Sequence, residues 1–206
     1  MAQDHTTQLT GLGRKVLLGV LCAGMAIAGC GASRSTTTTS RSKRVLTASE
    51  PVPRLSIEVS IPTLLREGYI PERYTCDGAD VSLPVRWSHI PSGTAELVIF
   101  AINLQPVHGR FFFDWALAGI SATSQGISAG VLPPGAIVGR NSAGKVGYSI
   151  CPAKGTPEEH YIVRVVALPH PLAAKPGFDA EVFYREAERS ATAVGLGGGG
   201  YKSPGG

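Results

Sequence analysis

The sequence predicts a mainly β domain carried behind an export leader. Three observations predict it. Glycine and proline are abundant together, 26 and 15 of 206 residues, which favours a body of many turns over a helical bundle. Hydrophobic residues make up 43% and charged residues 17%, so the chain can form a core. The apolar runs are of strand length and are bounded by turn residues. With 206 residues there is room for one domain of ordinary size plus appendages.

The formal charge of +4 is unevenly spread. Residues 1–54 hold seven basic residues (Arg14, Lys15, Arg34, Arg41, Lys43, Arg44, Arg54) against Asp4 and Glu50, which leaves 12 basic and 13 acidic residues beyond them. A nucleic-acid-binding domain needs its positive charge on the folded surface, so that class is set aside.

The first element is a leader. Arg14 and Lys15 precede Val16–Ala28, an apolar run of 13 residues. That is too short to cross a bilayer of ~30 Å and has the length of a signal-peptide core. Ile27-Ala-Gly-Cys30 resembles a bacterial lipobox, with small residues for the peptidase and a thiol for the lipid. Residues 1–29 are expected to be a lipoprotein signal peptide and Cys30 the acylated residue. The alternatives are a plain cleaved signal or an uncleaved short anchor. Several acyl chains, at ~0.8 kcal/mol per buried methylene, would anchor the chain firmly on the extracytoplasmic side of the cell membrane. Residues 30–54, rich in Ser and Thr, read as a flexible tether.

The body, residues 55–206, follows as one domain. Leu55-Ser-Ile-Glu-Val-Ser60 alternates like a half-buried strand. Glu96–Ile102 is a continuous apolar run, as suits a strand covered on both faces. Arg110–Ala118 is another, interrupted by Asp114, and Tyr161–Leu168 is rich in β-branched residues. Pro133-Pro-Gly135 and Gly144-Lys-Val-Gly147 are turn chemistry. Near the C-terminus, Asp179 is placed to cap a helix in which Ala180, Phe183, Ala187, Ala191 and Val194 recur at helical spacing. Gly195 is expected to stop it, and Gly197–Gly200 to be a flexible tail.

A series of separated motifs then becomes informative. Gly68-Tyr-Ile-Pro-Glu-Arg-Tyr-Thr-Cys-Asp-Gly-Ala-Asp-Val-Ser82 is followed by Pro84, Trp87 and Pro91-Ser-Gly-Thr94. Leu132-Pro-Pro-Gly135, Gly147-Tyr-Ser-Ile-Cys-Pro-Ala-Lys-Gly155 and His160-Tyr161 come later. In order and spacing they resemble the phosphatidylethanolamine-binding protein family, in its bacterial Raf-kinase-inhibitor-like branch, over about residues 55–202. The resemblance implies an antiparallel β-sandwich with a few short helices, one of them near the C-terminus. It also implies a small anion pocket, built in the family from an Asp-Pro-Asp-x-Pro loop, a His-Trp, a Gly-Tyr-x-Gly-Pro-Cys-Pro-Pro loop and a His-Arg-Tyr.

This chain departs from the family at the pocket. The first loop reads Asn103-Leu-Gln-Pro106, the His-Trp is Asp114-Trp115, and Glu159 stands where the His of His-Arg-Tyr is expected. Ser149-Ile150 replaces the Gly-Pro before Cys151. Ionised Asp114 and Glu159 would repel phosphate. The candidate ligand-binding set carried by the resemblance is Asn103, Asp114, Trp115, Tyr148, Cys151, Glu159 and His160, with His160 able to stand in for the family His after a register shift or to be a solvated strand residue.

Three readings follow. The pocket is dead and the domain acts through a protein partner, or it prefers a cationic or polyhydroxylated ligand, or it still takes a phospholipid headgroup by its ammonium end. Cys76 and Cys151 match family cysteines near the pocket; outside the cytoplasm they are expected either to pair or to stay as two buried thiols. No cofactor is implied. His89, His108, His160 and His170 show no metal-ligand spacing, and no Gly-x-Ser-x-Gly elbow is present, so neither a metal site nor an enzyme is expected. The bacterial members' tendency to pair makes a homodimer a further expectation.

Overall fold

The computed structural model describes residues 54–64, 66–107, 109–156 and 158–204. The leader 1–29, Cys30 and the tether up to residue 53 lie outside the described residues, as does His108. Arg54, grouped with the tether on sequence, is already structured and begins the first strand.

Two sheets pack face to face. The larger has six strands in the order β1 (Arg54–Leu55), β9 (Ala193–Tyr201), β8 (Glu159–Leu168), β4 (Glu96–Val107), β5 (Arg110–Ile120) and β7 (Ile137–Val138). The smaller holds β2 (Glu58–Ser60), β3 (Val85–Ser88) and β6 (Gly126–Ile127), with β3 in the middle. Among these strands the pairings are antiparallel except β1 with β9, where Arg54 and Leu55 run parallel to Ala193 and Val194.

The central strands read as continuous apolar runs because both faces of the large sheet are covered. On the inner face Ile99, Ala101, Trp115, Leu117, Val163 and Val165 meet Ile57, Val85, Trp87 and Ile127 of the small-sheet side. On the outer face Val98, Phe100, Phe113, Ala116 and Val166 lie under Ala180, Phe183 and Ala187 of α1 (Ala180–Ser190). The helix starts where the sequence places it. Asp179 caps it, its carboxylate accepting from the Val182 N–H at 2.8 Å.

Three expectations are corrected. The single strand expected over residues 55–60 is two: β1 edges the large sheet and β2 joins the small one, with buried Ile57 at the crossing. The helix ends at Ser190, with Ala191 as its C-cap, so Val194 belongs to β9 rather than to the helical stripe. The glycine run is no flexible tail, since Gly197–Gly200 form the middle of β9, paired along their length with β8. A Cβ at Gly195 or Gly198 would lie inside contact distance of the Ile57 or Tyr161 carbonyl oxygen. Bare backbone is what lets neighbouring strands approach there.

Candidate functional site

The site grows out of an irregularity between β4 and β5. Ala101 pairs with Trp115 and Ile102 with Phe113, which leaves Asp114 as the unpaired residue of a bulge. A bulge re-aims side chains and breaks strict alternation. Here Trp115 reaches the inner core while Phe113 packs on the helix side, and Asp114 between them is fully buried. The loop after β7 takes up the backbone: the Phe113 N–H donates to Ser142 Oγ at 2.9 Å, and the Asp114 carbonyl accepts from the Ser149 N–H at 3.0 Å.

Glu159 opens β8 and is also buried, but in a different setting. Its Oε2 accepts from Asn103 Nδ2 at 2.7 Å and from the Tyr161 hydroxyl at 2.6 Å, and its Oε1 accepts from the Ala153 N–H at 2.9 Å. Asn103 and Tyr161 are cross-strand partners of β4 and β8, so the ladder itself brings these donors together. Asn103 is oriented in turn by the Gln105 N–H, which donates to its Oδ1 at 2.8 Å. This cluster floors a cavity of about 400 Å³ lined by Asn103, Gln105, Phe112, Cys151, Ala153, Thr156 and Glu159.

Cys76 and Cys151 form a disulfide with Cα atoms 5.1 Å apart. Both residues are exposed, so the alternative of two buried thiols is overturned. The Cys76 N–H also donates to the Ile150 carbonyl at 2.9 Å, stitching the turn at Glu72–Tyr74 to the cavity rim. In the chain-entropy description a crosslink spanning 75 residues stabilises by ~4 kcal/mol.

The seven candidate ligand-binding residues do not share one site. Asn103, Cys151 and Glu159 line the cavity just described. Trp115 and Tyr148, packed edge to face with centroids 5.4 Å apart, line a second cavity of about 470 Å³ beside Asp80 and Val146. Asp114 is buried away from both linings. His160 departs from the set, because consecutive strand residues face opposite ways. It is exposed, lies 3.5 Å from Glu158, and borders a shallow trough with Leu104, Ile162 and Leu196. It therefore does not stand in for the family His.

The electrostatics also revise the expected pair of ionised acceptors. Neither Asp114 carboxyl oxygen makes a hydrogen bond among the described residues. Burial above all, then the charges of Glu159 and Asp80, push its pKa well above the ordinary value, with the Asn103 backbone N–H nearby opposing the shift. Asp114 thus favours the neutral form. Burial likewise raises the Tyr148 phenol, with Asp114 and Asp80 adding to it, and raises Tyr161, whose hydroxyl is committed to Glu159.

Sequence reasoning passed over Phe112, Gln105, Ala153 and Thr156 as lining residues and Tyr161 as a donor. Tyr161 and Ala153 did lie within quoted motifs, and Gln105 within the altered loop. Asp80, also inside a motif, accepts at Oδ2 from Lys145 Nζ at 2.9 Å and Ser149 Oγ at 2.8 Å.

A two-sheet sandwich with a bulged β5 and an altered cavity beside a Gly-Tyr-Ser-Ile-Cys loop is the architecture of a divergent phosphatidylethanolamine-binding domain. The profile of the phosphatidylethanolamine-binding protein family matches residues 60–201, and the chain belongs to that family. A Mycobacterium tuberculosis protein described as a putative lipoprotein, LppC, is 31% identical over 159 residues, covering 74% of this chain and 78% of its own. A UPF0098 protein of Methanothermobacter thermautotrophicus is 33% identical over 120 residues, covering 55% and 78%. The crystal structure of Escherichia coli YbcL, titled a new member of the mammalian PEBP family, superposes with a TM-score of 0.66 at 21% identity. It covers 72% of this chain and 99% of YbcL. At that identity the likeness shows the fold alone.

Proposed function

We propose that this chain is a lipid-anchored, extracytoplasmic binding module whose Asn103–Glu159 cavity takes a small cationic or hydroxyl-rich ligand. The observation that carries the reading is Glu159 itself. It is a buried carboxyl group held by three donors at the floor of an open cavity, with no basic side chain among the described lining residues. Such a floor attracts an ammonium or hydroxyl donor and repels phosphate, and Phe112 adds an aromatic wall.

Asp114 supplies no second charge in this reading, since burial favours its neutral form. The role is binding and not catalysis: Glu159 has its oxygens engaged, and Asp114 lines neither cavity, so no acid–base pair faces a common reactant. Membrane anchoring through Cys30 is supported by the lipobox and by a relative described as a lipoprotein. An exposed disulfide suits an oxidising compartment.

The test is calorimetric titration with ethanolamine, phosphorylethanolamine and inorganic phosphate. The comparison protein carries Asn103→Asp, Asp114→His and Glu159→His, which restore the family pattern. The natural chain is expected to bind ethanolamine and ignore phosphate, and the restored one to gain phosphate binding. Equal phosphate binding by both overturns the reading. Silence of the natural chain toward all three would favour a module acting through a protein partner.

A further inference from the structure

The second cavity is separate from the Glu159 site and is built differently. Its walls include Val81, Leu132, Val138, Trp115 and Tyr148, with Ser82 as a polar neighbour and Asp80 as its one acidic residue. At about 470 Å³ it has the size of a small-ligand pocket, mostly apolar with a few polar groups. Its rim is apolar too: Val146 and Leu132 remain 46% and 49% exposed.

The cavity is braced on the side of the Gly147–Cys151 loop. The Tyr148 hydroxyl donates to the Tyr74 carbonyl at 2.6 Å, Ser149 Oγ donates to Asp80 Oδ2 at 2.8 Å, and the disulfide holds the loop's end. A preformed site spends little of its binding energy on ordering. Asp80 sits at a positive φ of 50°, an uncommon conformation for a residue with a side chain, which sets its carboxylate at the polar end of the cavity.

Its two oxygens are unequal. Oδ2 has two donors, whereas Oδ1 is shut off from solvent with no hydrogen-bond partner among the described residues. The carboxylate therefore acts on a ligand in the cavity through its negative charge rather than through a hydrogen bond to Oδ1. Lys145 does not cancel the attraction, because its side chain is 53% exposed and its charge is screened by water.

From these observations we infer that the Asp80–Tyr148 cavity is a second ligand site, for a small molecule with an aromatic or branched apolar body and an ammonium end. The site does not depend on the function proposed for Glu159.

The test uses the full chain in phosphatidylcholine vesicles, with protein-free vesicles subtracted. Three probes with the same phenethyl body, phenethylammonium, 2-phenylethanol and 3-phenylpropionate, are titrated while tryptophan fluorescence is read, since Trp115 lines the cavity. Phenethylammonium is expected to bind saturably and at least tenfold more tightly than 3-phenylpropionate, with the alcohol between them. Asp80→Asn should shrink that preference to about threefold or less. Val146→Trp, which fills the mouth from a half-exposed position, should remove saturable binding of all three, with circular dichroism confirming the fold. A large excess of ethanolamine, the probe of the Glu159 cavity, should leave phenethylammonium binding within twofold, which separates this site from the other cavity. No saturable signal, equal affinity for cation and anion, or binding that survives Val146→Trp but is displaced by ethanolamine would each overturn the inference.

Discussion

Glu159 and Asp114 stand on β8 and β5, the two strands that flank β4, and both are buried. Beyond the cavity that Glu159 alone lines, their surroundings differ in the supply of donors. Glu159 begins a strand, where the ladder partner Asn103, the neighbouring Tyr161 and the Ala153 N–H converge on it. Asp114 sits in a bulge where its backbone carbonyl accepts from the Ser149 N–H but its carboxyl oxygens find no donor among the described residues. For Asp114, desolvation without such donors disfavours the charged form. The comparison teaches that two acids read from sequence as a matched pair can have opposite roles. One lines an open cavity, and the other lies outside both linings with its pKa raised by burial.

The largest expected effect comes from cutting the link that supports both settings. Replacing Cys76 and Cys151 together by serine should lower stability by about 4 kcal/mol in urea titrations. It should loosen the loop that carries both the Ala153 and the Ser149 N–H donors. A loss below about 1 kcal/mol would detach that loop from the site.

Next comes Glu159→Gln. A carboxamide has one acceptor oxygen for three donors, so at least one buried donor loses its partner, at a cost of about 2 kcal/mol. An unchanged urea midpoint would remove the contrast with Asp114.

Asp114→Asn should act in the opposite direction. Because the folded-state pKa of Asp114 is raised, its contribution is fully present below the ordinary carboxylate range near 3.8 and is lost as pH rises toward the raised value. The slope for one proton is at most about 1.4 kcal/mol per pH unit. The asparagine variant should flatten that decline and melt higher than the parent at pH 7.5, by melting curves collected across pH 4–8. An identical pH profile in both proteins would show that Asp114 does not carry the proton.

The smallest effect is that of Tyr161→Phe, which removes one of three donors to Glu159 and leaves the ring in the core, for a loss of about 1 kcal/mol.

Much of this molecule was legible in its sequence. Glu96–Ile102 and Tyr161–Leu168 announced β4 and β8 because a strand covered on both faces must be apolar throughout, and Asp179 announced the start of α1 through its cap. The motifs carried the family, and with it the sandwich. The glycine-rich β9 was illegible, because glycine signals flexibility locally. Its reason for being here is the Ile57 and Tyr161 backbone, which comes from elsewhere in the chain.

The sequence by itself therefore determined the apolar strands, the helix start, the family and the loss of its anion-binding residue types. Only the tertiary structure decided that Cys76 meets Cys151, that Trp115 and Tyr148 belong to a different cavity from Glu159, and that Asp114 is denied donors. Periodicity records how each residue meets its local face, whereas donors, cavities and crosslinks depend on residues tens of positions apart, such as Asn103 and Glu159, that only the strand order brings together.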